Sequence, residues 1–236
     1  MPRRPEAGAH SEARAVPRAA QTLGARLREE RDRLGLSLRE LARRLEVSPS
    51  LVSQIETGKT QPSVRTLYAI VSELGVSLDD VFTPSGKDSD GHSLPSSPRT
   101  GRRRVSSTTE TGRAPAEGHG RVQRAAERRV IDLGSGVHWE RLTTWNDRDV
   151  DFLYAIYEAG GSSSPDGSLM RHNGREFGIV LAGRLGVTVG FEEHVLDPGD
   201  SIAFDSSIPH RLHNDGDEAV TAIWIVLGRH HHASER

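Results

Sequence analysis

The sequence predicts a two-domain chain: a small all-α domain, a disordered linker, and an all-β domain built as a sandwich or barrel. Three observations carry this. Residues 19–82 hold apolar residues at helical spacing between repeated cap and stop residues. Residues 84–126 contain no aromatic residue and are dominated by Ser, Gly, Pro, Thr and Arg, too little apolar surface to offset the entropy of ordering a chain. Residues 130–228 hold short apolar runs separated by Gly, Pro, Asp and Asn, the pattern of short strands and tight turns.

Composition narrows the function classes. The chain lacks cysteine, which excludes disulfide scaffolds, thiol catalysis and Cys-based zinc fingers. No run approaches the ~18 apolar residues of a membrane span, and Met1 to Ala20 carry no apolar core of a secretory signal, so a soluble cytoplasmic protein is expected. The net charge of -2 conceals an asymmetry: residues 18–82 carry +1, residues 83–129 carry +5 and residues 130–236 carry -9. The two ends are therefore expected to meet different partners. The predicted division is a disordered arm over 1–18, a helical domain over 19–82, a disordered basic linker over 83–128, a β domain over 129–228 and a frayed tail over 229–236, which holds His230, His231 and His232.

In the helical domain, Leu23, Leu27 and Leu34 fit one face of a first helix. Ser37 opens a second, with Glu40 three residues on to complete a reciprocal capping box, and Leu38, Leu41, Ala42 and Leu45 form its apolar stripe. Ser48 and Pro49 open a third as N-cap and first helical residue, with Val52 and Ile55 buried and Gly58 ending it. Pro62 and Ser63 open a fourth, carrying Leu67, Ile70, Val71 and Leu74 up to Gly75. Ser77 and Asp80 start a short fifth with Leu78, Val81 and Phe82.

The second and third helices are separated by only Glu46 to Ser48, the spacing of a helix-turn-helix. Ser50 and Gln54 lie i, i+4 on the third helix and share a face, and Gln can pair with adenine at two points. The string SLRELARRLEVSPSLVSQIETGKTQPSVRTL over 37–67 resembles the lambda-repressor/Cro-like (XRE) family, through Glu40-Leu41-Ala42, Val47-Ser48, Ile55-Glu56 with Gly58, and Pro62-Ser63 with Thr66-Leu67. The resemblance implies a recognition helix at about 49–57 in the major groove of double-stranded DNA. It also implies base contacts from Ser48, Ser50, Leu51, Ser53 and Gln54, and phosphate contacts from Arg39, Arg43, Thr57, Lys59, Thr60 and Arg65. Leu38 stands where the family places a phosphate-binding Gln, and Glu46 where it usually has Gly, at the cost of some turn strain. Glu56 is read as structural. Arg102, Arg103 and Arg104 offer the linker some non-specific phosphate affinity, although a solubilising run has the same composition.

In the β domain the apolar runs are Phe152–Ile156, Phe177–Leu181, Leu185–Val189, Ile202–Phe204 and Val220–Leu227. Two strings stand out: Met170-Arg171-His172 with Glu176, and Pro198-Gly199-Asp200 followed by Pro209-His210. They resemble the two cupin motifs, in which His-x-His, a Glu four residues on and a distant His bind one metal. The resemblance implies a double-stranded β-helix (jelly-roll) barrel. It places His172, Glu176 and His210 as ligands for Fe, Mn or Zn, with Met170 standing where the first His belongs. A metal site, a metal-free ligand pocket and a purely structural His–Glu pair all fit these residues. His213 falls on the opposite strand face from His210, His194 belongs to the surface, and Tyr154, Tyr157 and Trp224 are read as core or barrel lining.

Together the halves resemble bacterial transcription regulators in which a cupin senses a small-molecule effector and mediates dimerisation. That reading implies a non-enzymatic, DNA-binding homodimer whose linker is too long for a rigid lever. The alternative is a non-haem iron epoxidase acting on hydroxyalkyl phosphonates, which shares the His–Glu–His spacing. Against it stand an intact DNA-facing turn and a linker judged too long to pack the helices over the barrel.

Overall fold

The computed structural model describes residues 18–82, 122–145, 147 and 149–228. Five helices come first: α1 (Arg18–Arg33), α2 (Leu38–Arg44), α3 (Pro49–Glu56), α4 (Val64–Leu74) and α5 (Leu78–Phe82). Their starts follow the cap residues. Ser37, Ser48 and Ser63 each accept a backbone N–H three residues on, from Glu40, Leu51 and Thr66. Ser77 and Asp80 make the reciprocal box, each side chain accepting the other's backbone N–H at 3.0–3.1 Å. The box expected at Ser37 is only half made. The Glu40 carboxylate turns to Arg43 and Arg44 instead, two cations within its own turn. Gly75 closes α4 in the left-handed conformation at φ 64°, which a side chain would resist.

The apolar stripes pack together with one correction. Leu23 and Leu27 are buried, but Leu34 is 43% exposed. Arg31 holds the inward position on α1, because the equally buried Glu56 at the end of α3 meets it with two charge-assisted bonds of 2.6 and 2.9 Å. Gly24 lets α1 cross α3 closely: a Cβ there would sit 2.1 Å from the Ile55 carbonyl oxygen.

Between α2 and α3, Glu46 has φ 55°, the left-handed turn geometry that its position in the motif implies. A non-glycine residue there costs energy. Glu46→Gly is therefore expected to stabilise the helical domain by about 1 kcal/mol, read as a higher urea midpoint with an unchanged slope.

After residue 122 the chain makes a short 3₁₀ turn, Ala125–Glu127, inside the stretch assigned to the linker by composition. Order there has a cause: Arg128 pairs with Glu140 at 3.0 Å and lies over the Tyr154 ring. Nine strands follow: β1 (Val130–Leu133), β2 (Val137–Arg141), β3 (Val150–Tyr157), β4 (Arg175–Ala182), β5 (Leu185–Val189), β6 (Glu192–Leu196), β7 (Ser201–Asp205), β8 (His210–His213) and β9 (Val220–Leu227). They form an antiparallel six-stranded sheet, β1-β2-β3-β9-β4-β7, facing a three-stranded one, β6-β5-β8. This is the two-sheet jelly roll. Strands β1, β2, β6 and β8 lack the apolar runs that mark the others, since charged residues or histidines interrupt them.

The helical domain packs over the mouth of the barrel, contrary to the expectation drawn from linker length. Gly134 N–H donates to the Pro62 carbonyl at 2.9 Å, and Arg65 N–H donates to that of Ser163 at 3.0 Å. Gly134 is required by the approach: a Cβ there would lie 2.5 Å from the Gln61 carbonyl oxygen. Length permits separation but does not enforce it, and buried contact decides. No helix among the described residues is long and apolar enough to cross a membrane.

Candidate functional site

Two surfaces carry the chemistry. The first is the start of α3. Ser48, Ser50 and Gln54 are exposed there, and Ser53 is half-buried. The Gln54 amide is steadied on both sides, donating to Ser50 Oγ at 3.3 Å and accepting from Thr60 Oγ1 at 3.4 Å. A held amide presents a defined donor and acceptor pair, the geometry two-point base pairing needs. Leu51 is half-buried and packs against the core, which leaves only part of its side chain for a base.

The flanking cations differ in readiness. Arg39 and Lys59 are exposed. Arg43 is exposed but paired with Glu40 at 2.7 Å, so a phosphate must compete with that carboxylate. Thr57 Oγ1 donates to the Ser53 carbonyl at 2.7 Å and caps the helix end. Arg65 faces the other domain, with Nη1 donating to Ser168 Oγ at 3.0 Å and lying 3.6 Å from Asp166. Glu56 is structural, as its residue type and position suggest. Arg102 to Arg104 and His230 to His232 lie outside the described residues.

The second surface is the barrel mouth. Glu176 is the second residue of β4 and points inward, and His210 opens β8. His172 precedes β4 in a segment pinned by His172 N–H to the Ser206 carbonyl and Ser206 N–H to that of Gly174. Met170 bridges to His210 and lines the same cavity. The chain around His172 is irregular rather than a strand. It reaches the site through the Asn173-Gly174 bend.

The two imidazoles are oriented from behind. His172 Nδ1 and His210 Nδ1 each lie 2.9 Å from a backbone carbonyl, of Asn173 and Ile208 respectively. A carbonyl only accepts, so each Nδ1 carries a proton and each Nε2 faces the cavity, where it donates to Glu176 when protonated and offers a lone pair to a metal ion when not. Those two Nε2 atoms stand 3.0 and 3.1 Å from Glu176 Oε1. His172 Nε2 and Glu176 Oε1 are nevertheless buried without a well-formed hydrogen bond. With both Nε2 atoms unprotonated, the three converging lone pairs would repel, so the cluster calls for a positive charge among them, either a metal ion or a proton on an imidazole.

The remaining carboxylate oxygen is also fixed. Trp224 Nε1 donates to Glu176 Oε2 at 2.6 Å, the outer-shell bond by which a metal-binding carboxylate is aimed. Gly178 makes room for this: its partner across the ladder is Trp224, and a Cβ at 178 would meet the indole at 2.0 Å. Burial alone would raise the Glu176 pKa, but His172 and His210 hold it well below the usual carboxylate range. Burial opposes the charged form of His210, yet Glu176 raises its pKa. Burial pushes the Tyr157 phenol up, so that side chain is a neutral wall.

The donor set suits a divalent cation. Among the described residues, His172, Glu176 and His210 are the group whose ligand atoms converge, all within 4.8 Å. Two ligands at about 2.1 Å from one ion and at right angles are about 3.0 Å apart, the spacing seen here. Two imidazoles and one carboxylate are the borderline-to-hard donors that Fe(II), Mn(II) and Zn(II) accept, and the soft Met170 thioether adds little for these ions. His213 pairs with Asp215 outside this group, and His194 is exposed beside Glu192, a surface position as expected. Tyr157 and Trp224 line the cavity, whereas Tyr154 lies on the outer face.

Sequence reasoning missed one wall of this cavity. Val64 and Tyr68 of α4 cover it. The Tyr68 ring stacks on His172 at 4.7 Å and 20°, and meets the edge of Trp139 at 5.5 Å. Tyr68 reads in sequence as one more buried position of α4, and only the second domain gives it a further neighbour.

Comparison with known proteins agrees with both halves. Residues 27–81 match a helix-turn-helix family and residues 153–226 a cupin domain family. The HTH-type transcriptional regulator PuuR of Escherichia coli (strain K12) is 27% identical over 193 residues, 81% of this chain and 86% of the relative. The HTH-type transcriptional regulator DdrOP3 of Deinococcus deserti is 38% identical over 57 residues, 24% of this chain and 44% of the relative. A crystal structure of an HTH_3 family transcriptional regulator from Vibrio cholerae superposes with TM-score 0.56 at 20% identity, covering 88% of this chain and 96% of that one, and so shares its fold.

Proposed function

We propose that this chain, a helix-turn-helix protein with a C-terminal cupin domain and homologous to transcriptional regulators, acts on double-stranded DNA as a homodimer whose cupin pocket holds a divalent metal and receives a small-molecule effector. The homology runs through both domains, covering 81% of the chain, and it is to a regulator rather than an enzyme. The epoxidase alternative rested on the joining of a helix-turn-helix-like domain to a cupin and on the His–Glu–His spacing, which a cupin metal site shares whatever its activity. The helices do cover the barrel, so linker length is no argument against that alternative, and homology sets it aside.

The observation that supports DNA reading is the exposed start of α3, where Ser50 and Gln54 stand clear of the rest of the fold. The test is capture and sequencing of genomic fragments by the full-length protein at physiological salt, with and without added metal. A discrete two-fold sequence is expected, with half-sites about one helical turn apart. Gln54→Ala is expected to cost roughly 1–3 kcal/mol of operator binding with little change in non-specific binding. No enriched sequence under either condition overturns the reading.

The proposed dimer surface is the outer face of the six-stranded sheet. Phe177 and Ile179 on β4 pair across the ladder with Ile225 and Ile223 on β9, and these with Phe152 and Tyr154 on β3. Phe177, Ile179 and Leu181 are 39–46% exposed, a contiguous apolar stripe that soluble monomers avoid. A second copy of the same face covers it with two-fold symmetry, as an isologous interface requires. Ile179→Glu is expected to shift the solution mass from dimer to monomer and to weaken operator binding by about 10²-fold or more, since the second half-site then binds without tethering. A wild type that sediments as a monomer at micromolar concentration rules this surface out.

A further inference from the structure

The cavity at the barrel mouth holds about 20 Å³, the room of one water or one metal ion. The barrel supplies most of its walls, and the other domain closes one side. Tyr68 lies flat on His172, and Val64 stands beside it, so the roof of the cavity is the face of α4 that the DNA-binding domain turns toward the cupin. That roof is held by contacts away from the cavity: Gly134 N–H to the Pro62 carbonyl, Arg65 N–H to that of Ser163, and the Arg65 side chain against Ser168 and Asp166.

We infer that α4 is the lid of the cupin pocket, and that an organic ligand enters only when the DNA-binding domain lifts off the barrel. The inference rests on the regulator reading for its consequence but not for its geometry. A metal ion fits beneath Tyr68 and leaves the domains docked. A ligand of several heavy atoms needs the space that Tyr68 and Val64 fill, so ligand and docked domain exclude each other. Such a ligand binds the undocked state alone, which is the differential affinity that a population shift requires. Its apparent affinity is lowered by the fraction of molecules undocked.

The consequence reaches DNA through orientation. Ser50 and Gln54 stay exposed in the docked form, so docking does not mask the recognition surface. It fixes where that surface points relative to the cupin, and hence the spacing of two recognition helices in a cupin-linked dimer. Undocked, each helix-turn-helix is held only by its tether and the spacing is lost. An effector that undocks the lid thereby weakens binding to a two-half-site operator.

The test uses diethyl pyrocarbonate on the metal-free full-length protein. This reagent acylates imidazole nitrogen and is far larger than the closed cavity, so its rate at His172 counts the undocked population. Rates at His172 and at the exposed His194 are followed in the same sample by peptide mass spectrometry. In the wild type, His172 is expected to react at least about tenfold more slowly than His194, as a lid open a minor fraction of the time requires. Two variants loosen docking without touching the cavity: Gly134→Ala crowds the Gln61 carbonyl, and Arg65→Glu repels Asp166. Each is expected to raise the His172 rate severalfold and leave His194 unchanged, with circular dichroism showing an intact fold. His172 as reactive as His194 in the wild type, or unaltered in both folded variants, overturns the lid. Neither outcome depends on a metal, an operator or a dimer, so failure of the lid is separable from failure of the regulator reading.

Discussion

Glu56→Ala is expected to cost the helical domain about 3–5 kcal/mol. Glu56 and Arg31 are both buried and bonded through two pairs of atoms. The pair itself contributes little, because removing two charges from water offsets much of their attraction. Deleting one partner is different: it leaves the Arg31 guanidinium inside the bundle with its Nε and Nη2 unpaired. Nη1 keeps the Leu36 carbonyl and Asp32, which moves the expected cost toward the lower end of the range. Most domains have only 5–15 kcal/mol to lose. Urea unfolding of the full chain should therefore show a helical transition at much lower denaturant, with the β transition less affected. Replacing both residues together, Arg31→Met with Glu56→Leu, should restore most of the loss. An unchanged midpoint in Glu56→Ala would mean that the pair is not buried in solution.

On the proposed metal site, Glu176→Gln is expected to abolish divalent-cation binding. The amide keeps the shape but loses the charge that two converging imidazole lone pairs require, and the loss should exceed the roughly 10–100-fold that an outer-shell change costs. Trp224→Phe is that outer-shell change, since it deletes the Nε1 donor to Glu176 Oε2 and leaves all three ligands in place. It should weaken Zn(II) or Mn(II) binding by about 10–100-fold. Equilibrium dialysis with metal analysis of wild type and both variants orders them. A wild type that takes up none of Fe(II), Mn(II) or Zn(II) removes the metal and leaves a charged His–Glu cluster held by a proton.

The candidate site was legible unevenly. The string 37–67 marks the helix-turn-helix because its caps, stripe and turn follow local rules that act within a few residues. Even the strain at Glu46 is written there, in the residue that occupies a turn position. The His–Glu–His triad was legible as a spacing, His172 to Glu176 and then His210, but not as a geometry. The Nδ1 bonds to Asn173 and Ile208, which decide that Nε2 faces inward, are made by backbone carbonyls that no side-chain pattern reports. Leu34 was misplaced because helical period cannot tell a buried leucine from a buried arginine that has found a carboxylate 25 residues away.

What the sequence determined by itself is the order and kind of the parts: five helices, four of them opened by a serine cap, a polar linker, and short strands with two histidines and a glutamate on or beside them. Each follows from local propensity, from hydrophobic period, or from the ligand chemistry of particular side chains. What only the tertiary structure decided is how the parts meet. The dual roles of Arg65 and Tyr68, the exposed apolar face across β3, β9 and β4, and the closure of the pocket by α4 depend on surfaces distant in the chain. Buried contact sets those meetings, and it is a property of the folded shape rather than of any window of residues.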